Sequence, residues 1–343
     1  MTAPEAELQP IRDRVGVVTP VMPVHPDIDH WRPATLADVD TVTALIQAID
    51  GADHPEWRRT RDEIEEHLGY SFVDLAEDTL PAFTADRRAV AIGIVTMPPG
   101  QETLVRVFLE GGVHPDVRGR GIGRVVLAWS LARAEGRLAA SDRRLPAWVL
   151  AYEDERVVDA QHLLTRNGFR LARYFFELER DLSEPVPRVE QAPEVRIVPY
   201  TDDLSAAVHA ARDDSFRDHW GSQPMSDEQW EAWTGGTFRR DVSFLAMAGN
   251  EVVGFCLCQV NEQDWLTQGF TGPYIAMVGT IRTWRGKRIA PALLGRTMET
   301  AAALGWQKAT LSVDAENPSG ALGLYTGMGF VRANAEVCML REY

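Results

Sequence analysis

The chain has 343 residues, of which 45% are hydrophobic and 25% charged, and its formal net charge is −15 at neutral pH. This length favours two globular domains. The negative charge argues against non-specific binding to nucleic acid, whose phosphates require a basic face. The three cysteines give no disulfide framework, and no metal site is expected beside Cys256 and Cys258. No apolar run approaches the roughly 20 residues of a membrane helix, and no signal peptide precedes the chain, so a cytoplasmic protein is expected.

Residues 1–30 are predicted to form a Pro-containing tail, and a first domain over 31–183 follows. Apolar residues recur at helical spacing from Leu36 onward. The expected elements of this domain are a strand at 31–35, helices from 36 and over 58–68, a hairpin over 82–96, a strand over 103–110, a helix over 125–138, a strand over 146–152, a helix over 157–166 and a strand over 173–182.

A Pro-rich stretch over 184–193 lacks apolar periodicity and is predicted to be a linker. A second domain over 194–343 restarts the same order. Its expected elements are a strand at 194–200, helices from 204 and over 228–234, a hairpin over 243–260, a strand over 272–281, a helix over 291–304 and a strand over 308–313.

A basic, glycine-rich turn joins a strand to a helix in each half. The first turn reads Arg118, Gly119, Arg120, Gly121, Ile122, Gly123, and the second reads Arg285, Gly286, Lys287, Arg288, Ile289, Ala290. Glycines at such a junction let backbone N–H groups face an anion, and the helix dipole adds partial positive charge. The sequence therefore predicts two diphosphate cradles. The second is the poorer match, because Arg288 stands where Gly121 stands in the first.

Each turn is followed by a Gly-Phe pair, at Gly168-Phe169 and at Gly329-Phe330. The segment from Asn317 to Phe330, with Tyr325 in it, completes a pattern that resembles the GNAT superfamily of N-acetyltransferases, in a tandem layout similar to mycothiol synthases. The resemblance implies an α/β (α+β) fold of two GNAT-like domains, each a mixed, mostly antiparallel sheet flanked by helices.

The resemblance also implies an acetyl-CoA site in each half, between two splayed parallel strands. These strands would be 105–113 with 147–152, and 275–281 with 308–313. The implied CoA contacts are the twelve turn residues above together with Gly111, Val113, Val278, Thr280 and Asn317.

The residue four positions before the Gly of the Gly-Phe pair is implied to be the general acid. It is Tyr325 in the second half and Leu164, which cannot donate a proton, in the first. We therefore expect catalysis in the C-terminal domain and a structural or regulatory role for the N-terminal domain. The general base is less determined: Glu262 is the candidate, with Asp264, Glu110 and a water chain as alternatives.

The acceptor is expected to be a small-molecule amine. His219, Trp220 and Tyr274 are the candidate acceptor-binding residues. Tyr274 stands where mycothiol synthases, as aligned here, carry a carboxylate, which counts against that particular activity.

Two other classes of function are weighed against this one. The first alternative is a non-catalytic acyl-CoA sensor. It is motivated by Leu164, which removes the acid from the first half, and by Arg288, which replaces a glycine in the turn of the second half. A Rossmann dinucleotide site is disfavoured because the spacing of Gly119, Gly121 and Gly123 differs from G-x-G-x-x-G, and a P-loop is disfavoured because Gly-Lys-Ser/Thr is missing. The sequence leaves the oligomeric state open.

Overall fold

A computed structural model describes residues 8–16, 19–190, 192–317 and 319–343. Residues 1–7, 17 and 18 of the predicted tail, residue 191 of the predicted linker and residue 318 lie outside the described residues. The chain divides into two compact units, one of residues 1–172 with 337–343 and one of residues 173–336. Each unit is described by itself below.

The first unit consists of helices and a five-stranded stretch of sheet. Its first four strands are antiparallel, and the fourth pairs parallel with the fifth. Its helices are α1 (Ile11–Arg14), α2 (Val39–Asp53), α3 (Arg61–Gly69), α4 (Leu75–Asp78), α5 (Ile122–Ala139) and α6 (Val158–Arg166). Its strands are β1 (His30–Trp31), β2 (Thr79–Phe83), β3 (Ala89–Thr96), β4 (Val105–Val113) and β5 (Ala147–Asp154). β1 to β4 pair antiparallel in succession, and β4 pairs parallel with β5.

The second unit repeats this arrangement. Its helices are α7 (Ser205–Phe216), α8 (Asp227–Trp233), α9 (Trp265–Gln268), α10 (Ile289–Ala303) and α11 (Ala321–Gly327). Its strands are β7 (Arg196–Pro199), β8 (Phe244–Ala248), β9 (Glu251–Gln259), β10 (Tyr274–Thr280) and β11 (Lys308–Asp314). β7 to β10 pair antiparallel in succession, and β10 pairs parallel with β11. The predicted fold class, a mixed and mostly antiparallel sheet with helices in each half, is confirmed.

Two long strands, β6 (Arg170–Asp181) and β12 (Val331–Glu342), cross the division between the units. Residues 173–181 of β6 belong to the second unit, where they pair antiparallel with β11 from Asp181 opposite Lys308 to Phe175 opposite Asp314. Residues 337–342 of β12 belong to the first unit, where Tyr343 donates its backbone N–H to Ala147 of β5. The units therefore end differently from the predicted domains over 31–183 and 194–343, whose boundaries stay a prediction.

Capping side chains decide where two helices begin. The Thr60 hydroxyl accepts from the Glu63 N–H while the Glu63 carboxylate accepts from the Thr60 N–H, so α3 begins at Arg61 instead of the predicted 58. Ser226 and Gln229 form the same reciprocal pair at α8, so Ser226 is the cap and α8 begins at Asp227, one residue before the predicted 228. The apolar faces of these helices pack on the sheets, and each unit has its own buried core.

The predicted linker packs on the second unit. Val186 and Val189 lie against its core, and Arg180, which is 3% exposed, donates to the Pro185 carbonyl. Cys256, Cys258 and Cys338 are reduced and buried. Among the described residues, no helix combines the length and the hydropathy that a membrane crossing requires.

Candidate functional site

The parallel strands of each unit pair only at one end. β4 and β5 pair from Val105 opposite Ala147 to Phe108 opposite Leu150, although β4 continues to Val113. β10 and β11 pair at a single position, Tyr274 opposite Thr310, although β10 continues to Thr280. Each unit therefore has a wedge between its parallel strands, as the resemblance implied, with Val113, Val278 and Thr280 half-buried on the diverging strands.

Both central strands are irregular where they diverge. Gly111 of β4 has φ +116°, and a Cβ atom there would lie 2.1 Å from the Ile92 carbonyl oxygen, so only glycine fits. In β10 the register with β9 shifts between Ile275 and Met277. Such irregularities bend a strand away from its neighbour and expose backbone groups to the wedge.

The first turn has the backbone form of an anion cradle. Gly119 and Gly121 both have left-handed backbone angles, with φ +76° and +94°, and α5 begins at Ile122 directly afterwards. The N–H groups of Gly119, Arg120 and Gly121 have no acceptor in the described part of the chain. Those of Ile122 and Gly123 lack one because the first N–H groups of a helix have no intrahelical acceptor.

The second turn keeps this backbone form despite its arginine. Arg288, at the Gly121 position, has φ +57° and is the residue before α10, and Gly286 has φ +81°. Arg288 is exposed, and its guanidinium has no partner within the described ranges. Ile289 is buried and Ala290 half-buried, while Lys287 pairs with Glu194 at 2.8 Å. The side chain therefore leaves the cradle's N–H groups open and adds a cation at its rim.

The first arginine of each turn faces the protein and not the cradle. Arg118 forms a two-bond ion pair with Asp53, at 2.6 and 2.8 Å, and donates to the Val113 carbonyl. Arg285 pairs with Asp218 at 3.2 Å and donates to the Ser215 carbonyl. In both units the arginine thus ties the turn to a carboxylate at the end of the first long helix, which positions the cradle.

A segment of the N-terminal region lies on the first turn. His25 Nε2 is 3.0 Å from the Arg120 carbonyl, and the Asp27 carboxylate is 3.9 Å from the Arg120 guanidinium. Ile28 packs in one apolar cluster with Ile122 of α5. The predicted tail therefore contacts its own unit, and it puts a carboxylate at the rim of the first cradle.

Tyr325 of α11 is a buried phenol at the second wedge. It is 9% exposed, its ring meets Phe330 edge-on with centroids 6.0 Å apart, and its hydroxyl has no hydrogen-bond partner within the described ranges. Burial raises its pKa, so it stays protonated at neutral pH. Leu164 takes this place in α6 of the first unit and is buried in an apolar cluster.

Tyr274 lies beside this phenol. The whole residue is 37% exposed, and its hydroxyl lies against the backbone of Ser312. The pKa of Tyr274 is raised first by desolvation and then by the carboxylates of Glu177 and Glu336 and by Tyr325. Two carboxylates and a second phenol therefore lie within electrostatic reach of Tyr274, where β10 and β11 part.

The other predicted site residues lie at different places in the second unit. His219 packs on Phe216 with ring centroids 4.4 Å apart, and burial and then the charge of Arg285 lower its pKa. Trp220 carries the Arg173 guanidinium 5.0 Å above its ring. The Asn317 side-chain oxygen accepts from the N–H and the hydroxyl of Ser319.

Glu262 lies on an exposed turn. Its side chain is 64% exposed and is 3.3 Å from the Arg239 guanidinium. No described contact joins it to Tyr274 or Tyr325. Its role as the base remains a prediction, which the surroundings of Tyr325 do not support.

Comparison with known proteins agrees with this geometry. A family model described as "Acetyltransferase (GNAT) family" matches residues 205–330. The mycothiol acetyltransferase of Streptomyces griseus subsp. griseus is 32% identical over 241 residues, which cover 67% of this chain and 70% of that protein. The chain belongs to the GNAT superfamily of N-acetyltransferases.

Other GNAT proteins extend the comparison. The mycothiol acetyltransferase of Frankia casuarinae is 33% identical over 234 residues, and the aligned part spans only 63% of that relative. A GCN5-related N-acetyltransferase from Sphaerobacter thermophilus matches with TM-score 0.67 and 24% identity over 91% of this chain and 95% of its own. A tandem GNAT protein from the clavulanic acid biosynthesis pathway gives 0.66 and 15%, over 91% and 98%. These two structures show the tandem fold.

Sequence reasoning did not single out Glu177 and Glu336, the two carboxylates that act electrostatically on Tyr274. Both lie on strands that were expected to close a sheet, and Glu177 was assigned to the first domain. The sequence did carry a signal for Glu177. Glu177 and Glu179 alternate with Phe176 and Leu178, so the two carboxylates share one face of β6. The sequence does not say which strand lies beside that face.

Proposed function

We propose that this protein transfers an acetyl group from acetyl-CoA to the amine of a small molecule, with the chemistry in the second unit. The observation that carries the proposal is Tyr325. It is a protonated, unpartnered phenol that is nine-tenths buried beside the opening of a GNAT wedge. Because its hydroxyl forms no hydrogen bond among the described residues, it is available to donate to a ligand in the wedge.

The second turn fits a diphosphate. The N–H groups of Gly286, Lys287 and Arg288 have no acceptor in the described part of the chain, and the start of α10 adds two more with the positive end of the helix dipole. Arg288 and Lys287 supply cations at the rim, and a guanidinium suits phosphate oxygens. Bound here, acetyl-CoA would supply the acetyl group and a sulfur leaving group.

Tyr325 is proposed to hold the proton that the leaving sulfur requires. Because its pKa is raised, the phenol stays protonated and neutral at neutral pH. Its burial in the wedge shields it from bulk water. The N–H groups of β10, turned into the wedge by the irregularity at Ile275–Met277, are proposed to orient the thioester.

The acceptor is proposed to be a small amine bound near Tyr274. The relatives named mycothiol acetyltransferases support this class of acceptor. Trp220 and His219 are proposed to line the pocket from the end of α7. Because no carboxylate stands at Tyr274, we propose that the acceptor differs from that of the mycothiol enzymes.

The first unit is proposed to bind CoA as a structural or regulatory half. Its turn has two left-handed glycines, and Leu164 lacks the proton that catalysis requires.

Asp27 at the rim of the first turn repels a diphosphate, so Asp27→Asn is expected to tighten CoA binding at this turn about threefold at low salt. Calorimetric titration of Asp27→Asn in an Arg288→Glu background, which weakens the second turn, measures this; unchanged affinity would remove Asp27 from the account.

A non-catalytic acyl-CoA sensor is the second candidate, favoured by the missing acid at Leu164 and by the exposed Arg288. Turnover separates the two. Purified protein is incubated with acetyl-CoA and a panel of amino acids, amino sugars and arylamines, and free thiol is measured with a thiol-reactive dye. Amine-dependent thiol release supports the enzyme. Saturable acetyl-CoA binding with no release across the panel supports the sensor.

A further inference from the structure

One carboxylate of the second wedge has no part in the function argued so far. Glu177 of β6 lies directly opposite Ser312 of β11, and Tyr274 places its hydroxyl against the Ser312 backbone. Residues directly opposite in an antiparallel pair point to the same face of the sheet. Glu177 therefore lies on the face, and at the level, of the Tyr274 hydroxyl.

The parting of β10 from β11 opens this position to a ligand. The two strands pair only at Tyr274 and Thr310, one step before Ser312. No ladder pairing of β10 with β11 follows that pair among the described residues, and Tyr325, a residue that is 9% exposed, has a hydroxyl without a hydrogen-bond partner there. A carboxylate, an unpartnered proton donor and an open strand edge thus converge.

We propose that Glu177 is the residue that binds the ammonium group of the acceptor and takes its proton, with Glu336 as a second anionic contact. This inference deepens the acetyl transfer proposed above and rests on it. It assigns the acceptor to the class of amines that are cationic at neutral pH.

The proton balance closes with these side chains. The Glu177 carboxylate removes one proton from the acceptor's ammonium, which frees the nitrogen lone pair. The nitrogen forms a bond to the acetyl carbon as the carbon–sulfur bond breaks, the Tyr325 hydroxyl gives its proton to the sulfur, and the second ammonium-derived proton leaves to solvent. Glu177 returns its proton to solvent, and Tyr325 is reprotonated from solvent.

Other groups fit the role less well. Tyr274 has a raised pKa and is a poor base near neutral pH. Glu262 lies exposed beside Arg239, and His219 is under the influence of Arg285 at the start of the second turn. Tyr274 faces Glu177, Glu336 and Tyr325 electrostatically, and two ion pairs join the same strands, Arg173 with Asp314 and Glu179 with Lys308.

The test compares Glu177→Gln with Glu179→Gln, a matched control on the same face of the same strand. Glu179 pairs with Lys308 at 2.9 Å, so its loss removes only a half-exposed ion pair. An amine that the wild-type protein acetylates is the probe, and kcat/KM is measured from about pH 6 to pH 10, with acetyl-CoA affinity measured by calorimetry.

We expect Glu177→Gln to lower kcat/KM for the amine about 100-fold near neutral pH. The rate should recover as the pH approaches the amine's own pKa, because solution then supplies the neutral amine. Acetyl-CoA affinity and the Glu179→Gln control should stay within about threefold of wild type. Glu336→Gln should raise KM for the amine with a smaller change in kcat.

A Glu177→Gln variant with wild-type kcat/KM and pH profile overturns the inference while acetyl transfer stands. A loss of kcat/KM in Glu177→Gln that persists at high pH also overturns it. So does a pH-dependent loss that occurs in Glu262→Gln and not in Glu177→Gln. If Glu177→Gln fails to fold, Glu177→Asp decides: a reduced rate with the wild-type pH profile supports the base, and an unchanged rate opposes it. A wild-type protein that binds acetyl-CoA but acetylates no amine refutes the proposed function itself.

Discussion

Replacing Tyr325 with phenylalanine should separate activity from stability. The residue is nine-tenths buried, its hydroxyl has no partner among the described residues, and its ring packs against Phe330. Tyr325→Phe keeps the ring and removes a hydroxyl that forms no hydrogen bond in the described protein, so the folded state loses no such interaction. The variant should therefore be at least as stable as the wild type. Loss of a general acid should lower kcat about 10²- to 10⁴-fold, which corresponds to about 3–5 kcal/mol of barrier.

The assay is amine-dependent thiol release at saturating acetyl-CoA, with thermal unfolding measured in parallel. Tyr200→Phe is the control, because Tyr200 is also buried in the core of the second unit but lies next to β7, at the far edge of the sheet from β11. The control should keep wild-type kcat. A Tyr325→Phe variant that binds acetyl-CoA and retains kcat within about threefold would refute the assignment of the acid.

Three further predictions concern the turns and the first unit. Arg288→Gly should remove about 1 kcal/mol of backbone strain, because glycine adopts the left-handed conformation freely. It should nevertheless weaken CoA binding about tenfold, because a phosphate loses its cation. Tighter binding in calorimetry would mean that Arg288 obstructs the cradle. Gly111→Ala should strongly lower the free energy of unfolding of the first unit, or prevent its folding, because the added Cβ would meet the Ile92 carbonyl. Gly119→Ala places its Cβ in open space and should cost only about 1–2 kcal/mol. Equal losses of stability in denaturant titrations would contradict the reasoning. Asp50 is fully buried, and its ion pairs and hydrogen bonds with His54 and Arg59 outweigh desolvation and lower its pKa to about 2, below the ordinary 3.8. It should therefore stabilise the first unit above about pH 4 by roughly 2 kcal/mol and lose that contribution as the pH falls toward 2; an Asp50→Asn variant with the wild-type acid-unfolding curve would oppose this.

Local patterns were enough to predict the repeat and the two turns, whereas the wedge was implied by the family resemblance. Glycine at 119, 121 and 286 has one physical reason, the left-handed backbone that a cradle requires, and that reason is readable from sequence. Runs of β-forming residues between turn residues likewise predicted most strands. Family resemblance then singled out Tyr325.

Non-local pairing could not be predicted in this way. The sequence shows that residues 173–182 favour a strand, but the partner strand is set by packing across the whole fold. Glu177 was therefore assigned to the first half and missed as a group beside Tyr274. The contact of His25 with Arg120 was missed for the same reason, because 95 residues separate them.

The backbone of Arg288 was also beyond sequence reasoning. A side chain at a glycine position predicted either an obstructed cradle or a retained one. The structure has the retained form, with the strain of φ +57° held by a buried Ile289 and by the helix that follows. Propensity alone disfavours that conformation, and tertiary packing overrides it.

A crystal structure with bound acetyl-CoA tests the central claim most directly. We expect the diphosphate on the backbone N–H groups of 286–290 and the thioester sulfur within hydrogen-bonding distance of the Tyr325 hydroxyl. Acetyl-CoA bound solely at 118–123, or a sulfur remote from Tyr325, would contradict the placement of catalysis in the second unit.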